Sequence, residues 1–373
     1  MERKPIVIAQ RRLKNQHSGT PRKVFQEIQT LSDRGYTVHT VAEKINRNAV
    51  REAGGVPHKA LRWPIKSITR CRFFDWQAQR HIRRIRPKLV IGHGDIVKQD
   101  VLVLHNCLHL AHERINPESG CPETSSMRFH AHILRAGHYR LVVCNSRLMQ
   151  SDLRTRYGLP GERLTVLYPE YDDRQFRCDN HVSLRTAFRT QQGIAEDMAV
   201  VGLITSGDFQ KRNVGLVIDA LAAFMRADRC RLLLVGQPGC RLTREHLTSL
   251  GIEDKVFLAP TIDQVEMYYH GIDLFVLPAL LEEFGRSALE AMACGLPVIL
   301  SRHVGATEIL PELSRTFVMD DLTESALRTQ VDRLLRDPSL RAEIGEANRR
   351  AAQDFTATKQ TQRFMDLLAP LLR

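Results

Sequence analysis

A chain of 373 residues, 43% of them hydrophobic, is long enough for two domains of ordinary size with a large buried core. No run approaches the ~18 apolar residues of a membrane span, and the apolar part of residues 1–10 is too short for a secretory signal. The eight cysteines form no C-x-x-C pair and keep no regular spacing, which excludes a disulfide framework and points to a reduced, cytosolic setting.

The net charge of +12 is unevenly divided. Residues 1–170 carry 30 Lys+Arg against 14 Asp+Glu, and residues 171–373 carry 24 against 28, so the halves stand at +16 and −4. Such a basic half implies a polyanionic partner: anionic lipid, a phosphorylated glycolipid or nucleic acid. Its bland alternative is a solvated basic surface.

In chain order, residues 5–10 (PIVIAQ) read as a buried strand followed by a polar loop over 11–21. Val24, Ile28 and Leu31 then recur at helical spacing, Gly35 ends that helix, and 36–41 alternate as the next strand. Strand, loop, helix, strand is the order of a doubly wound α/β half. Residues 71–85 are a basic amphipathic stretch, with Phe73, Phe74, Trp76, Ile82 and Ile85 among arginines that include Arg70, Arg80, Arg83 and Arg84. Its apolar side is expected on the sheet, leaving a face able to touch anionic lipid.

Residues 88–92 and 100–104 are further strands, the second ending at His105-Asn106. His109, His112 and Cys107 raise a zinc cluster, but no firm second ligand pair accompanies them and the segment must also pack as a helix. Residues 117–126, rich in Pro, Gly, Ser and Cys, read as an exposed loop, and 141–145 as a strand with Ser146 as a helix N-cap.

The second half repeats the alternation. A strand at 199–204 leads into a loop carrying Lys211, Arg212 and Asn213, then a helix with Val214, Val217, Ile218 and Leu221. Strands follow at 231–236 and 255–260, and helical stretches at 324–335, 342–352 and 356–372 close the chain. Between them, residues 273–301 form a strand, loop, helix, strand unit with Gly285 at the helix start. Gly285 lets a ligand approach the backbone, and the amides of Gly285, Arg286 and Ser287 would face an anion. Glu282 and Glu290 beside that anion would repel it unless they bind hydroxyls. The unit therefore suits a ligand with phosphate and polyol parts, such as a sugar nucleotide; solvated helix charges are the alternative.

Glu282 and Glu290, seven residues apart within EEFGRSALEAMACGLPVI, resemble the E-x7-E signature of retaining family 4 glycosyltransferases, usually E-G-F-G-x-x-x-x-E-A-M-A-x-G-x-P-V. The chain departs at Glu283, where that family commonly has glycine. Thr205 to Asn213 is similar to the S-D-F-x-R-K-G loop of lipopolysaccharide-core glucosyltransferases, with Asn213 in place of glycine. Ser18-Gly19-Thr20-Pro21-Arg22 resembles a G-G-x-x-R loop, and residues 303–308 resemble a G-G-x-x-E loop, each one glycine short. Residues 142–172 resemble the family's domain-closing segment, with the hinge near 168–174.

The resemblance implies an α/β chain of GT-B kind, two Rossmann-like doubly wound domains facing across a cleft. Residues 1–168 would form the acceptor-side domain, with a last helix at about 356–373 packing back on it, and 169–355 the nucleotide-sugar domain. It implies that His105 faces the donor sugar, Glu282 orients that sugar and Glu290 binds the ribose diol. Gly19, the backbone from Phe284 through Gly285 and Arg286 to Ser287, and the cations Lys211 and Arg212 would meet the diphosphate. No D-x-D pair appears, so neither a metal nor a cofactor is expected, and the donor, as substrate, would be a UDP-sugar.

The acceptor would be a lipopolysaccharide-core glycolipid or related saccharide, met at an anionic membrane surface on the cytoplasmic face of the inner membrane. A capsule or exopolysaccharide transferase is the alternative within the class. Outside it stands a non-catalytic, basic nucleic-acid-binding α/β protein, which would have no reason to keep Glu282, Glu290 and the basic loop together.

Overall fold

A computed structural model describes residues 5–14, 19–117, 122–177, 181–205, 207, 209–236, 241–260, 262 and 264–373. The chain divides into two compact units, Met1–Leu167 with Thr361–Arg373, and Tyr168–Gln360.

The first unit opens with β1 (Ile6–Ala9), β2 (Arg12–Leu13), α1 (Gly19–Asp33), β3 (Val38–Ala42) and β4 (Lys44–Ile45). There follow α2 (Arg47–Glu52), β5 (Gly55–Lys59), α3 (Ile68–Ile85), β6 (Leu89–Gly92) and β7 (Val101–Val103). Then come α4 (Leu108–Ile115), α5 (Ser125–Ala136), β8 (Leu141–Cys144), α6 (Arg147–Tyr157) and β9 (Leu164–Val166). Seven strands make one parallel sheet in the order β5-β3-β1-β6-β7-β8-β9.

Because a strand's side chains alternate, an all-apolar strand feeds two cores. Ile6 and Ile8 of β1 pack with Val24, Ile28 and Leu31 of α1, and with Phe364 and Leu368 of the terminal helix. Val7 and Ala9 face the other way, onto Phe74 and Ala78 of α3.

Helix α3 begins at Ile68, three residues before the expected stretch, and its apolar stripe is narrower than expected. Phe74 is fully buried, whereas Trp76 is half exposed. Arg70 is not a solvated charge: its Nη2 donates to Glu43 Oε2 at 2.6 Å with both side chains buried. The segment from Gly19 to Arg22 is the first turn of α1 rather than a loop, and Ser18 lies outside the described residues.

The second unit contains α7 (His181–Gln192), β10 (Val200–Ile204), α8 (Val214–Arg226), β11 (Arg231–Gly236), α9 (Arg241–Leu250) and β12 (Val256–Pro260). It continues through α10 (Glu266–Gly271), β13 (Leu274–Leu277), α11 (Arg286–Ala293), β14 (Val298–Ser301), α12 (Glu312–Arg315) and β15 (Val318–Met319). Helices α13 (Glu324–Arg336), α14 (Pro338–Ala352) and α15 (Ala357–Leu372) complete the chain, α15 joining the first unit from Thr361. Helix α14 starts four residues before the expected stretch, because Asp337 caps it and Pro338 takes its first position.

The six strands of this unit are parallel in the order β12-β11-β10-β13-β14-β15. Val201 and Leu203 of β10 pack toward α8 and α13, and Val200 and Ile204 toward Tyr269 and Leu289. Each sheet reverses its winding beside a central strand, between β1 and β6 in the first unit and between β10 and β13 in the second. At such a point the loops leaving the carboxyl ends diverge and open a crevice.

Candidate active site

In the second unit the two loops at the reversal point carry the residues singled out from sequence. The loop after β10 holds Lys211 and Arg212, and that after β13 holds Glu282 to Gly285. They are tied together: the amide of Leu280 donates to the carbonyl of Lys211 at 3.0 Å. Lys211 Nζ donates to Glu283 Oε2 at 2.7 Å. Arg212 Nη2 lies 2.6 Å from Glu282 Oε2 and forms an ion pair with it. The loop closes on Asn213, which sits at φ 56° and ψ 44°. That left-handed conformation explains how asparagine stands in for glycine here, since its short polar side chain tolerates it.

Gly285 is the N-cap of α11 at φ 92°, and a Cβ there would meet Val304 Cγ1 at 2.8 Å. Any larger residue would be strained and crowded, so the turn requires glycine. The first amides that bond back onto the Gly285 carbonyl are those of Ala288 and Leu289. The amides of Gly285, Arg286 and Ser287 thus occupy the start of the helix, the positions with no intrahelical acceptor. The Arg286 side chain turns away to Glu170, Nη2 to Oε1 at 3.0 Å, so Arg286 offers the site its amide. Phe284 is buried in the core beneath this turn, its ring 5.9 Å from that of Tyr168 and tilted 41° to it.

Residues 303–308 close the loop from the other side. Gly305 and Ala306 donate their amides to the carbonyls of Glu282 and Phe284. Glu308 Oε2 accepts from the Tyr168 hydroxyl at 2.9 Å. Burial holds the Glu282 carboxyl above the usual carboxylate range. Arg212 and Lys211 oppose that shift and Glu283 adds to it. Glu290, one turn into α11 and buried, accepts a hydrogen bond from the Tyr269 hydroxyl at 2.9 Å.

His105 belongs to the first unit, where it follows β7. Its Nε2 lies 2.9 Å from His93 Nδ1, and His93 Nε2 lies 3.0 Å from Glu27 Oε2. A cavity of about 270 Å³ opens at this sheet's reversal point, lined by Gln10, Arg11, His93, Asp95, His105 and His130 among others. Burial pushes the His130 imidazole down to about 4, and neither ring nitrogen has a hydrogen-bond partner among the described residues. His109 meets Glu123 at 3.0 Å through Nε2 and the Tyr157 hydroxyl at 2.8 Å through Nδ1, which engages both ring nitrogens within the fold. Among the described residues no group of three His, Cys, Asp or Glu is placed to hold a metal ion. Glu123 precedes α5, and residues 118–121 of the expected exposed loop lie outside the described residues.

Glu27, His93, Glu170 and Tyr269 escaped the sequence reading. Glu27 sits on α1 among residues that look like one face of an ordinary amphipathic helix. A signal did exist for His93, a polar residue immediately after a buried strand of a doubly wound sheet.

The matches to known families agree with this layout. Residues 18–175 match the model described as Glycosyltransferase Family 4, and residues 185–351 that described as Glycosyl transferases group 1. The chain belongs to the family 4 glycosyltransferases. Among members and relatives, a D-inositol 3-phosphate glycosyltransferase of Salinispora arenicola is 29% identical over 58% of this chain and 51% of its own length. An N-acetyl-alpha-D-glucosaminyl L-malate synthase of Bacillus anthracis is 28% identical over 57% of this chain and 55% of its own length. The chain thus spans little more than half the length of these curated relatives.

Among solved structures, WaaG, a glycosyltransferase involved in lipopolysaccharide biosynthesis, superposes with a TM-score of 0.80 at 20% identity, covering 97% of this chain and 99% of WaaG. Anabaena HepE in complex with UDP-glucose gives 0.78 at 18% identity, covering 98% and 99%. These likenesses carry the fold, which is GT-B.

Proposed function

We propose that this glycosyltransferase moves a hexose, with retention of configuration, from a UDP-sugar to a glycolipid acceptor of lipopolysaccharide-core type. The observation that carries the reading is the pairing of two loops at one reversal point, Lys211 and Arg212 on one, Glu282 and the Gly285 turn on the other. As the bond between the sugar C1 and the diphosphate breaks, its electron pair goes to the phosphate oxygen. Positive charge develops on the sugar. Lys211, Arg212 and the amides from Gly285 to Ser287 would stabilise the leaving diphosphate, where one such donor contributes about 3 kcal/mol to lowering the barrier. Glu282 would hold the donor sugar by its hydroxyls, Glu290 the ribose diol, and His105 would help position the sugar. The acceptor hydroxyl would then bond to C1 on the face the diphosphate left, passing its proton to a leaving phosphate oxygen.

The acceptor class rests on the basic half and on one surface patch. Leu61 and Ile65 are 68% and 66% exposed and Trp76 51% exposed, beside exposed Arg62, Lys66, Arg80, Arg83 and Arg84. Trp63, Phe73 and Trp76 form a ladder at 5.4 and 5.9 Å, with the Arg80 guanidinium 6.0 Å from the Trp76 ring. Aromatic and aliphatic groups rimmed by cations suit an anionic membrane interface. Among the described residues no helix is long and apolar enough to cross a membrane, so attachment here would be peripheral. In a bacterial cell this surface would be the cytoplasmic face of the inner membrane.

A second reading takes the acceptor to be a small phosphorylated polyol, favoured by the D-inositol 3-phosphate glycosyltransferases among the relatives.

A thermal-shift screen of sugar nucleotides tests the donor, because a bound donor raises apparent stability by mass action. UDP-sugars should raise the melting temperature of wild type and raise it far less in Lys211→Ala and Arg212→Ala. Equal shifts in all three proteins would overturn the donor site.

A further inference from the structure

Two ion pairs of the first unit are built differently. Arg70 and Glu43 are 5% and 0% exposed, and Arg70 Nε and Nη2 both donate to the carboxylate. Arg11, after β1, and Asp95, after β6, are 17% and 14% exposed and line the cavity of about 270 Å³ at the reversal point. Asp95 Oδ2 accepts from the Arg11 amide at 2.9 Å. Arg11 Nε lies 3.4 Å from Asp95 Oδ1 yet makes no hydrogen bond, and Nη1 donates to Cys71 Sγ at 3.0 Å. Among the described residues neither Asp95 Oδ1 nor Arg11 Nη2 has a hydrogen-bond partner.

As a structural pin this pair is incomplete. The amide bond alone ties the loop after β1 to the loop after β6. The guanidinium beside it gains no hydrogen bond from the carboxylate, and a half-matched buried pair costs stability. What the arrangement does provide is an acceptor oxygen and a donor nitrogen side by side at a cavity wall. Leu104, Leu108 and Phe129 supply an apolar wall, suited to the C–H face of a sugar. The volume is below the roughly 300–1,000 Å³ of pockets that take drug-sized ligands, which suits a single ring.

We propose that Arg11 and Asp95 form a saccharide-binding pair, Asp95 Oδ1 accepting from one hydroxyl of a sugar ring and Arg11 Nη2 donating to the neighbouring one. A hydroxyl both donates and accepts, so two adjacent hydroxyls use both halves of the pair. A phosphate chiefly accepts, and would set its charge against the carboxylate. The ligand is thus a sugar ring held by its hydroxyls, and for a sugar to be the ligand the assignment rests on the glycosyl-transfer reading above. The ring belongs to the donor or to the acceptor, and the experiment separates the two.

The test is saturation-transfer NMR of the whole chain, with and without UDP, with free glucose, galactose, mannose and their single-deoxy forms as probes. At least one hexose should bind, and one of its deoxy forms should bind about tenfold more weakly, as expected when a charged partner loses its hydrogen bond. Asp95→Asn keeps an oxygen for the Arg11 amide and replaces the second acceptor by a donor. In this variant the hexose should fall to the level of that deoxy form, while the deoxy form loses little more. A merely structural pair would weaken both alike. Inorganic phosphate should not displace the hexose. Melting curves identify a variant that fails to fold, and the hexose, deoxy and phosphate comparisons in wild type stand without any variant. No hexose binding with or without UDP, displacement by phosphate, or equal losses for hexose and deoxy form in folded Asp95→Asn would overturn the inference. Calorimetry with UDP and UDP-glucose assigns the source. If UDP-glucose binds more tightly than UDP and Asp95→Asn abolishes that margin, the ring is the donor's. If the margin survives while free hexose binding falls, the ring is the acceptor's. UDP alone reports on the loops of the second unit, so a wild type that does not bind UDP would overturn the donor site and leave the free-hexose result standing.

Discussion

Glu283 Oε2 lies 2.7 Å from Lys211 Nζ, and Glu283 is the position at which the chain departs from the E-G-F-G motif it resembles. On the proposed reading, the carboxylate would compete with a diphosphate for the same ammonium. Together with Arg212 at Glu282, it leaves two cations facing two carboxylates in a largely buried loop cluster.

Replacing this competitor should shift the balance toward ligand. Glu283→Gly is expected to bind UDP several-fold more tightly than wild type, because Lys211 loses a fixed partner that a phosphate can replace. The same change should lower stability by about 3 kcal/mol, the usual result of removing one member of a buried pair. Calorimetric titration with UDP and a denaturant melt measure both. Weaker UDP binding in a folded Glu283→Gly would mean that Glu283 holds Lys211 in its working position.

Glu290 and Glu282 should separate nucleotide binding from turnover. Glu290→Ala is expected to lose about tenfold in affinity for UDP, one hydrogen-bonded contact to a charged group. Tyr269→Phe, which removes the hydroxyl that holds Glu290 at 2.9 Å, should lose less. Glu282→Ala should bind UDP as wild type does and turn over about a hundredfold more slowly. Titration and steady-state kinetics on the three variants distinguish these roles, and the reverse pattern would exchange them.

The raised Glu282 carboxyl predicts a pH dependence of stability. Burial raises it above its unfolded value against the pull of Arg212 and Lys211, so the folded chain holds this proton more tightly than the unfolded one. Its contribution to folding is complete below the unfolded value and is lost as pH rises through the folded one. Glu282→Gln, which mimics the protonated form, should therefore melt above wild type at neutral pH. The two should converge near pH 4, around the ordinary carboxylate value. Melting temperatures across that range test the sign; a variant that melts below wild type at neutral pH contradicts it.

Vesicle co-sedimentation tests the surface patch. Binding should require anionic lipid and fade with salt, since screening acts over about 8 Å at physiological ionic strength. Changing Arg80, Arg83 and Arg84 together to Gln should cost up to about 1 kcal/mol per charge. Changing Leu61 and Ile65 to Ser should weaken binding at every salt concentration. UDP affinity should be unchanged in both, because Lys211, Arg212 and Glu282 belong to the other unit. Equal binding to neutral vesicles would leave the patch as a solvated face.

Local pattern and tertiary assembly informed different parts of this protein. The strands β1, β3, β6 to β8 and β10 to β14 and the helices α1, α8 and α11 were legible because apolar period and glycine placement act over a few residues, whereas the short strands β2, β4, β9 and β15 and the edge strand β5 were not. The switch to a helix at Gly19, the burial of Arg70 against Glu43, and the half-exposed Trp76 were not, since each depends on which face another segment covers. The pairing of Lys211 with Glu283 joins residues 72 apart, and His93 with Glu27 joins residues 66 apart. By itself the sequence determined which residues could carry charge and hydroxyl recognition. Only the parallel winding of each sheet, which brings distant strand ends side by side, decided which carboxylate meets which cation and which histidine is held by a buried acid.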